Sequence, residues 1–186
     1  MENATVISER FTSADLAQMP DDGNRYEIIA GELYVSRQPK FEHQYTCNQL
    51  QYFLTQQAGS GVVLPAPGVI FAEDDDVAPD VIWISRDRLE ESLDKAGHLH
   101  AAPELVIEVL SSGRANEFRD REAKLDLYSR RGVQEYWIVS FMQSFVEVYR
   151  REGGVLQLVN TLRDLDKLES PLLPGFSCQV SSLFFH

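Results

Sequence analysis

An α/β fold is predicted for this sequence, with a central mixed β-sheet (an α+β mixed sheet) flanked by helices. Three observations carry the prediction. Apolar runs of strand length, at 81–84, 105–110 and 135–139, are separated by turns rich in Gly, Pro and Asp. Two segments of helical spacing, 41–57 and 116–131, interrupt them, and the second lies between two strands, the order expected of a strand-helix-strand unit. With 186 residues, 44% of them hydrophobic, the chain can enclose one core and is short for two, so a single domain over 1–186 is expected.

Each element has a local reason. Thr12 to Leu16 reads as a short capped helix, closed by the turn cluster Asp21-Asp22-Gly23-Asn24. Residues 26–30 and 32–36 are β-prone runs about Gly31, a hairpin carrying Glu27 and Glu32. Over 41–57 the apolar residues Phe41, Tyr45, Leu50, Phe53 and Leu54 fall largely on one helical face, and Gly59-Ser60-Gly61 ends the helix. The runs 62–64 and 69–71 flank the turn Pro65-Ala66-Pro67-Gly68 and are expected to pair, with residues 73–76 an acidic loop leading to a strand headed by Pro79-Asp80. A short polar helix fits within 85–97, and Pro103 opens the strand that carries Glu108. Gly132 stops the helix over 116–131, after which strands are expected at 135–139, 145–150 and 155–159. No repeat, low-complexity tract or linker interrupts this order.

The net charge of −12 argues against casual binding to nucleic acid, because Lys and Arg make the phosphate contacts. The segment 114–131 is the exception, with six cationic side chains against Glu117, Asp120, Glu122 and Asp126. Its simpler reading is an exposed helix carrying both signs. Cys47 and Cys178 lie far apart with no CxxC spacing and read as packing residues. Residues 1–10 hold no apolar core of the signal-peptide type and every longer apolar run is cut by a charge, Pro or Gly, so a cytoplasmic protein without a membrane partner is expected.

Glu108 interrupts an otherwise apolar strand, Leu105-Val106-Ile107-Glu108-Val109-Leu110. A buried carboxylate must hold its proton or find a cation or a metal. Asp80 heads a second apolar strand, and Lys124 lies on the helix that follows Glu108. Asp80 and Glu108 are the oxygen ligands Mg²⁺ prefers, at about 2.1 Å. Lys124 would orient the attacking water or stabilise developing negative charge, and would favour the ionised form of Glu108. Asp120, Lys124 and Tyr128 fall at i, i+4 and i+8, one helix face. Taken alone, that face reads first as an Asp120–Lys124 surface pair with Tyr128 in the core. Glu27 reads first as an edge-strand glutamate facing solvent, and His43 as a hydrogen-bonding residue at the start of its helix; Trp83 and Trp137 read as core aromatics.

The ordered set Pro79-Asp80-Val81, the run from Pro103 to Ser111 with Glu108, then Asp120, Lys124, Tyr128, Gly132-Val133 and Glu135-Tyr136-Trp137 resembles the Uma-type restriction endonuclease family of bacteria, within the PD-(D/E)XK nuclease superfamily. The likeness takes in the segment from Tyr26 to Leu33, with Glu27, and His43, and so spans nearly the whole chain. It implies a restriction endonuclease-like core, with Asp80 and Glu108 as metal ligands and Lys124 as the catalytic lysine. Glu27, His43, Asp120 and Tyr128 are secondary candidates. Leu110 stands two residues after Glu108, where the superfamily pattern has lysine, so that role moves to Lys124 on the next helix.

The expectation is a Mg²⁺-dependent endonuclease (Mn²⁺ serving as well) that hydrolyses phosphodiester bonds of nucleic acid, DNA in particular. A catalytically silent nuclease-fold binding or assembly module is the alternative, prompted by the acidic charge. A homodimer is expected, since a small domain without a separate DNA-reading module would gather both strands of a duplex by symmetry.

Overall fold

A computed structural model describes residues 10–57 and 59–185. The first nine residues, on which the expectation about export signals partly rests, lie outside the described residues. In chain order the elements are α1 (Ser13–Leu16), β1 (Arg25–Ile29), β2 (Glu32–Ser36), α2 (Phe41–Gln56), β3 (Gly61–Pro65), β4 (Val69–Ala72), β5 (Asp75–Val77), β6 (Val81–Ser85), α3 (Arg86–Ser92) and β7 (Leu105–Val109). A long helix follows, made of α4 (Arg114–Phe118), a π-helical turn (Arg119–Ala123) and α5 (Lys124–Arg131). Then come β8 (Glu135–Ser140), β9 (Phe145–Glu152), β10 (Val155–Arg163), β11 (Lys167–Glu169), β12 (Ser177–Gln179) and a 3-10 turn (Val180–Leu183).

Six strands in the order β10-β9-β8-β7-β6-β3 form the central sheet. Only β7 and β8 run parallel; the other pairs are antiparallel, so the sheet is mixed as expected. A parallel pair needs a long crossover, and α4, the π turn and α5 supply it. Gly132, left-handed at φ 92°, ends this helix by giving its amide to the Tyr128 carbonyl.

Strand alternation divides the core in two. Val81, Trp83, Leu105, Ile107 and Val109 pack on one face against Leu50 and Leu54 of α2 and the β11–β12 hairpin. Ile82, Ile84, Val106 and Ile138 pack on the other against Leu127 and Tyr128 of α5. Burying each such side chain contributes about 1.5–3 kcal/mol. Glu108 shares its parity with Val106 and therefore points to the α5 face.

Several expectations need correction. The segments around Pro65–Gly68 do not pair with each other: β3 joins β6 in the central sheet, whereas β4 joins β5 in a separate four-stranded sheet, β2-β1-β5-β4. Residues 75 and 76, expected in an acidic loop, belong to β5, and the buried Asp75 carboxylate there accepts hydrogen bonds from the Ala30 amide and Arg131. The buried stripe of α2 is His43, Thr46, Cys47, Leu50 and Leu54, with Phe41 turned outward. Helix 114–131 is not simply an exposed, mixed-charge surface, because Arg119, Asp120 and Lys124 are buried. Trp83 and Trp137 are in the core as expected. No helix among the described residues is long and apolar enough to cross a membrane.

Candidate active site

The two carboxylates singled out in the sequence meet across neighbouring strands. The register of β6 and β7 pairs Val81 with Ile107, so one step further Asp80 stands opposite Glu108. Asp80 Oδ2 accepts the Val109 amide at 2.9 Å, which ties the head of β6 to β7. Both residues are buried, Asp80 to 7% and Glu108 to 1% exposure.

Lys124 reaches Glu108. Its Nζ donates to Glu108 Oε1 and to Glu27 Oε1, each at 2.9 Å, and is itself fully buried. Tyr128, one turn on, donates its hydroxyl to the same Glu108 oxygen at 2.7 Å. Lys124 therefore does not form the expected surface pair with Asp120. Asp120 instead takes Arg119 Nε at 2.8 Å and Arg119 Nη2 at 3.3 Å, a forked pair.

The π turn explains why neighbours in sequence all face inward. An α-helix would rotate Arg119 and Asp120 about 100° apart, whereas one inserted residue widens the turn and keeps both beside Lys124. A widened turn displaces a carbonyl from the helical ladder, and the Tyr136 hydroxyl donates to the Asp120 carbonyl at 2.9 Å.

Glu27 corrects the edge-strand expectation. β1 lies between β2 and β5, and Glu27 is 1% exposed, accepting the Ala78 amide at 3.0 Å with Arg119 Nη1 3.8 Å away. His43 is buried as expected of a hydrogen-bonding residue, and its partner is Asp80 itself, Nε2 to Oδ2 at 3.2 Å. On the other side of the ring, Nδ1 stands 3.6 Å from the Cys47 sulfur. Arg25 donates to Asp80 Oδ1 at 3.0 Å. Arg25 and Arg119 were not anticipated as site residues, because a lone arginine beside a strand or on a charged helix carries no periodic signal.

Charge balance sets the protonation. Glu27, Asp80, Glu108 and Asp120 face Arg25, Arg119 and Lys124, four acids to three permanent cations. Burial pushes the Glu108 carboxyl up to about 8; Lys124 opposes this, and the negative charges of Asp80, Asp120 and Glu27 add to it. Lys124 favours the ionised form of Glu108, as expected, but burial outweighs it. Burial also raises Asp120. For Glu27, burial is outweighed by Lys124 and then Arg119, leaving its carboxyl below the usual range. Burial of Asp80 is outweighed by the His43 hydrogen bond and charge and then by Arg25, which hold it well below that range. Lys124 is raised because Glu108 and Glu27 outweigh its burial.

The donor set suits a hard divalent cation. Asp80 and Glu108 would offer such an ion carboxylate oxygens, and His43 a nitrogen that Mn²⁺ accepts more readily than Mg²⁺. His43, Cys47 and Asp80 each bring a ligand atom within 4.8 Å of one another. Cys47 is the weakest of these donors, because burial followed by the charges of Asp80 and Glu108 holds its thiol protonated.

The chain is similar in fold to a protein from Anabaena variabilis whose crystal structure is described as that of a putative nuclease, with 16% identity and a TM-score of 0.75 over 94% of this chain and 97% of the other. That degree of identity speaks for the fold alone. No curated protein matches the chain. The Uma2 family model, described as "Putative restriction endonuclease", matches residues 13–181. With nearly its whole length matched, this chain belongs to the Uma2 family.

Proposed function

We propose that this protein is a divalent-metal-dependent endonuclease acting on DNA, with Asp80 and Glu108 as Mg²⁺ or Mn²⁺ ligands and Lys124 as the catalytic lysine. The observation that carries this reading is Lys124 Nζ, 2.9 Å from Glu108, whose strand adjoins the one headed by Asp80. A divalent ion held there would polarise the phosphoryl group and lower the pKa of a bound water. Lys124 has three N–H donors and commits two, to Glu27 and Glu108, which leaves one for the attacking water or a phosphoryl oxygen. Tyr128 fixes the Glu108 carboxylate and His43 the Asp80 carboxylate, so that neither must reorganise as the substrate arrives. We read the chain as one domain acting as a homodimer. Light scattering that returns only monomer would remove the dimer.

Supercoiled plasmid incubated with Mg²⁺ or Mn²⁺ tests the reading directly. Nicking by the wild type, lost in Asp80→Ala and Glu108→Ala, is the expected outcome, and equal behaviour of all three proteins overturns it. One observation favours the silent-module reading: both carboxylates already face cations, Arg25 on Asp80 and Lys124 on Glu108. Calorimetric titration with Mn²⁺ separates the two, because a binding module of this kind takes up no ion that depends on Glu108.

A further inference from the structure

The segment between β2 and α2 carries two cations that the proposed chemistry does not use. An inner cavity of about 260 Å³ is lined by Arg25, Asp80 and Arg119, and an outer one of about 450 Å³ by Lys40, Ser112 and Asn116. Arg37, Gln38, His43 and Ser111 belong to both walls, so the two form one cleft from solvent to the Asp80 carboxylate. Arg37 and Lys40 are exposed, and among the described residues neither has an ion pair. In a chain of net charge −12, whose cations at the site are tied to acids, that is an unusual place for unspent positive charge. The side chain of Lys40, the N-cap of α2, makes no cap, so the positive end of that helix adds to the same field.

One residue beyond Lys40 an aromatic cluster begins. Phe41 is 64% exposed and stands edge-on to Phe185 at 5.2 Å, with Tyr45 completing the group 5.4 Å from Phe185. Unpaired cations beside exposed rings are how proteins hold an unpaired strand, cations on its phosphates and rings on its bases. Depth argues the same way. Asp80 lines the inner cavity and is only 7% exposed, a depth that a flexible single-stranded backbone can reach more easily than a stacked duplex.

We propose that the mouth of this cleft is a subsite for single-stranded nucleic acid, in which Arg37 and Lys40 hold backbone phosphates flanking the one presented to Asp80 and Phe41 stacks an unpaired base. The assignment of the flanked phosphate rests on the nuclease reading; the binding does not.

Fluorescence anisotropy of a labelled oligonucleotide in EDTA, single-stranded or annealed to its complement, tests the proposal without turnover. The wild type is expected to bind the single strand more tightly than the duplex. Arg37→Ala/Lys40→Ala should reduce the slope of log K against log salt by about 1.4, some 0.7 for each phosphate no longer neutralised. Phe41→Ala should weaken single-strand binding about 5- to 150-fold. Lys95→Ala/Lys167→Ala, which removes two exposed cations outside the cleft walls, should keep the wild-type slope. No binding by the wild type, a preference for duplex, or an equal loss of slope in the control variant overturns the proposal. The expected binding pattern in a protein that fails to nick DNA in Mg²⁺ or Mn²⁺ supports the subsite and sinks only the nuclease reading.

Discussion

Replacing Lys124 by methionine removes the one cation shared by two buried carboxylates, and its cost follows from the geometry. Nζ lies 2.9 Å from both Glu27 and Glu108, with none of the three side chains more than 1% exposed. Removing one partner of a buried pair costs about 3–5 kcal/mol. Two features favour the lower end: Arg119 stands 3.8 Å from Glu27, and burial pushes Glu108 up to about 8, toward its neutral form. The charge left alone is then Glu27. A loss of about 3 kcal/mol, with a urea slope of about 2–3 kcal/mol/M for a chain of this length, moves the unfolding midpoint down by about 1 M or more. The effect has a sign in pH. Glu27, whose folded pKa is lowered, contributes stability that is present above its unfolded value of about 4.5 and lost as pH falls through its folded value. Lys124→Met forfeits that contribution, so its deficit should hold from pH 7 down to about 4.5 and shrink as pH falls further. Urea unfolding followed by circular dichroism at pH 7 and at about pH 3 reads both quantities. A variant within about 1 kcal/mol of wild type at pH 7, or a deficit that does not shrink in acid, would refute this charge network.

Metal binding at Glu108 must displace its proton, so Mn²⁺ affinity should rise by up to about tenfold per pH unit between pH 6 and 8 and level off above, with about one proton released at pH 7. Calorimetry in two buffers of different ionisation enthalpy measures this, and a pH-independent affinity rejects it. Burial pushes the Cys178 thiol up to about 12 and raises Cys47 as well, so both should resist Ellman's reagent at pH 8 in the folded protein and react in urea. Rapid labelling of the native state would contradict their burial. A Cβ at Gly61 would come within 2.4 Å of the Trp83 ring, so Gly61→Ala should destabilise by about 1–3 kcal/mol and alter the near-ultraviolet circular dichroism. An unchanged spectrum and midpoint would mean the ring yields freely.

Much of the site was legible because burial leaves a local trace. Glu108 stands out in an apolar run, Asp80 heads another, and the spacing of Lys124 and Tyr128 fits one helix face; all four are near neighbours in space. Glu27 was misjudged because a short hairpin strand looks like an edge until β5 pairs with its other side. The pairing of 62–64 with 69–71 failed for a similar reason: a Pro-Gly turn predicts a local hairpin, whereas each strand found a more distant partner.

Segment type and the identity of the anomalous carboxylate were thus determined by the sequence, since apolar periodicity and a charge within a strand are properties of adjacent residues. Only the tertiary structure decided which charges meet. Lys124 bridges residues 27 and 108, Arg25 closes on Asp80, and Arg119 turns inward beside Asp120. Those pairings depend on strand register and on a π turn held by Tyr136, and both are set by contacts between segments distant in the chain.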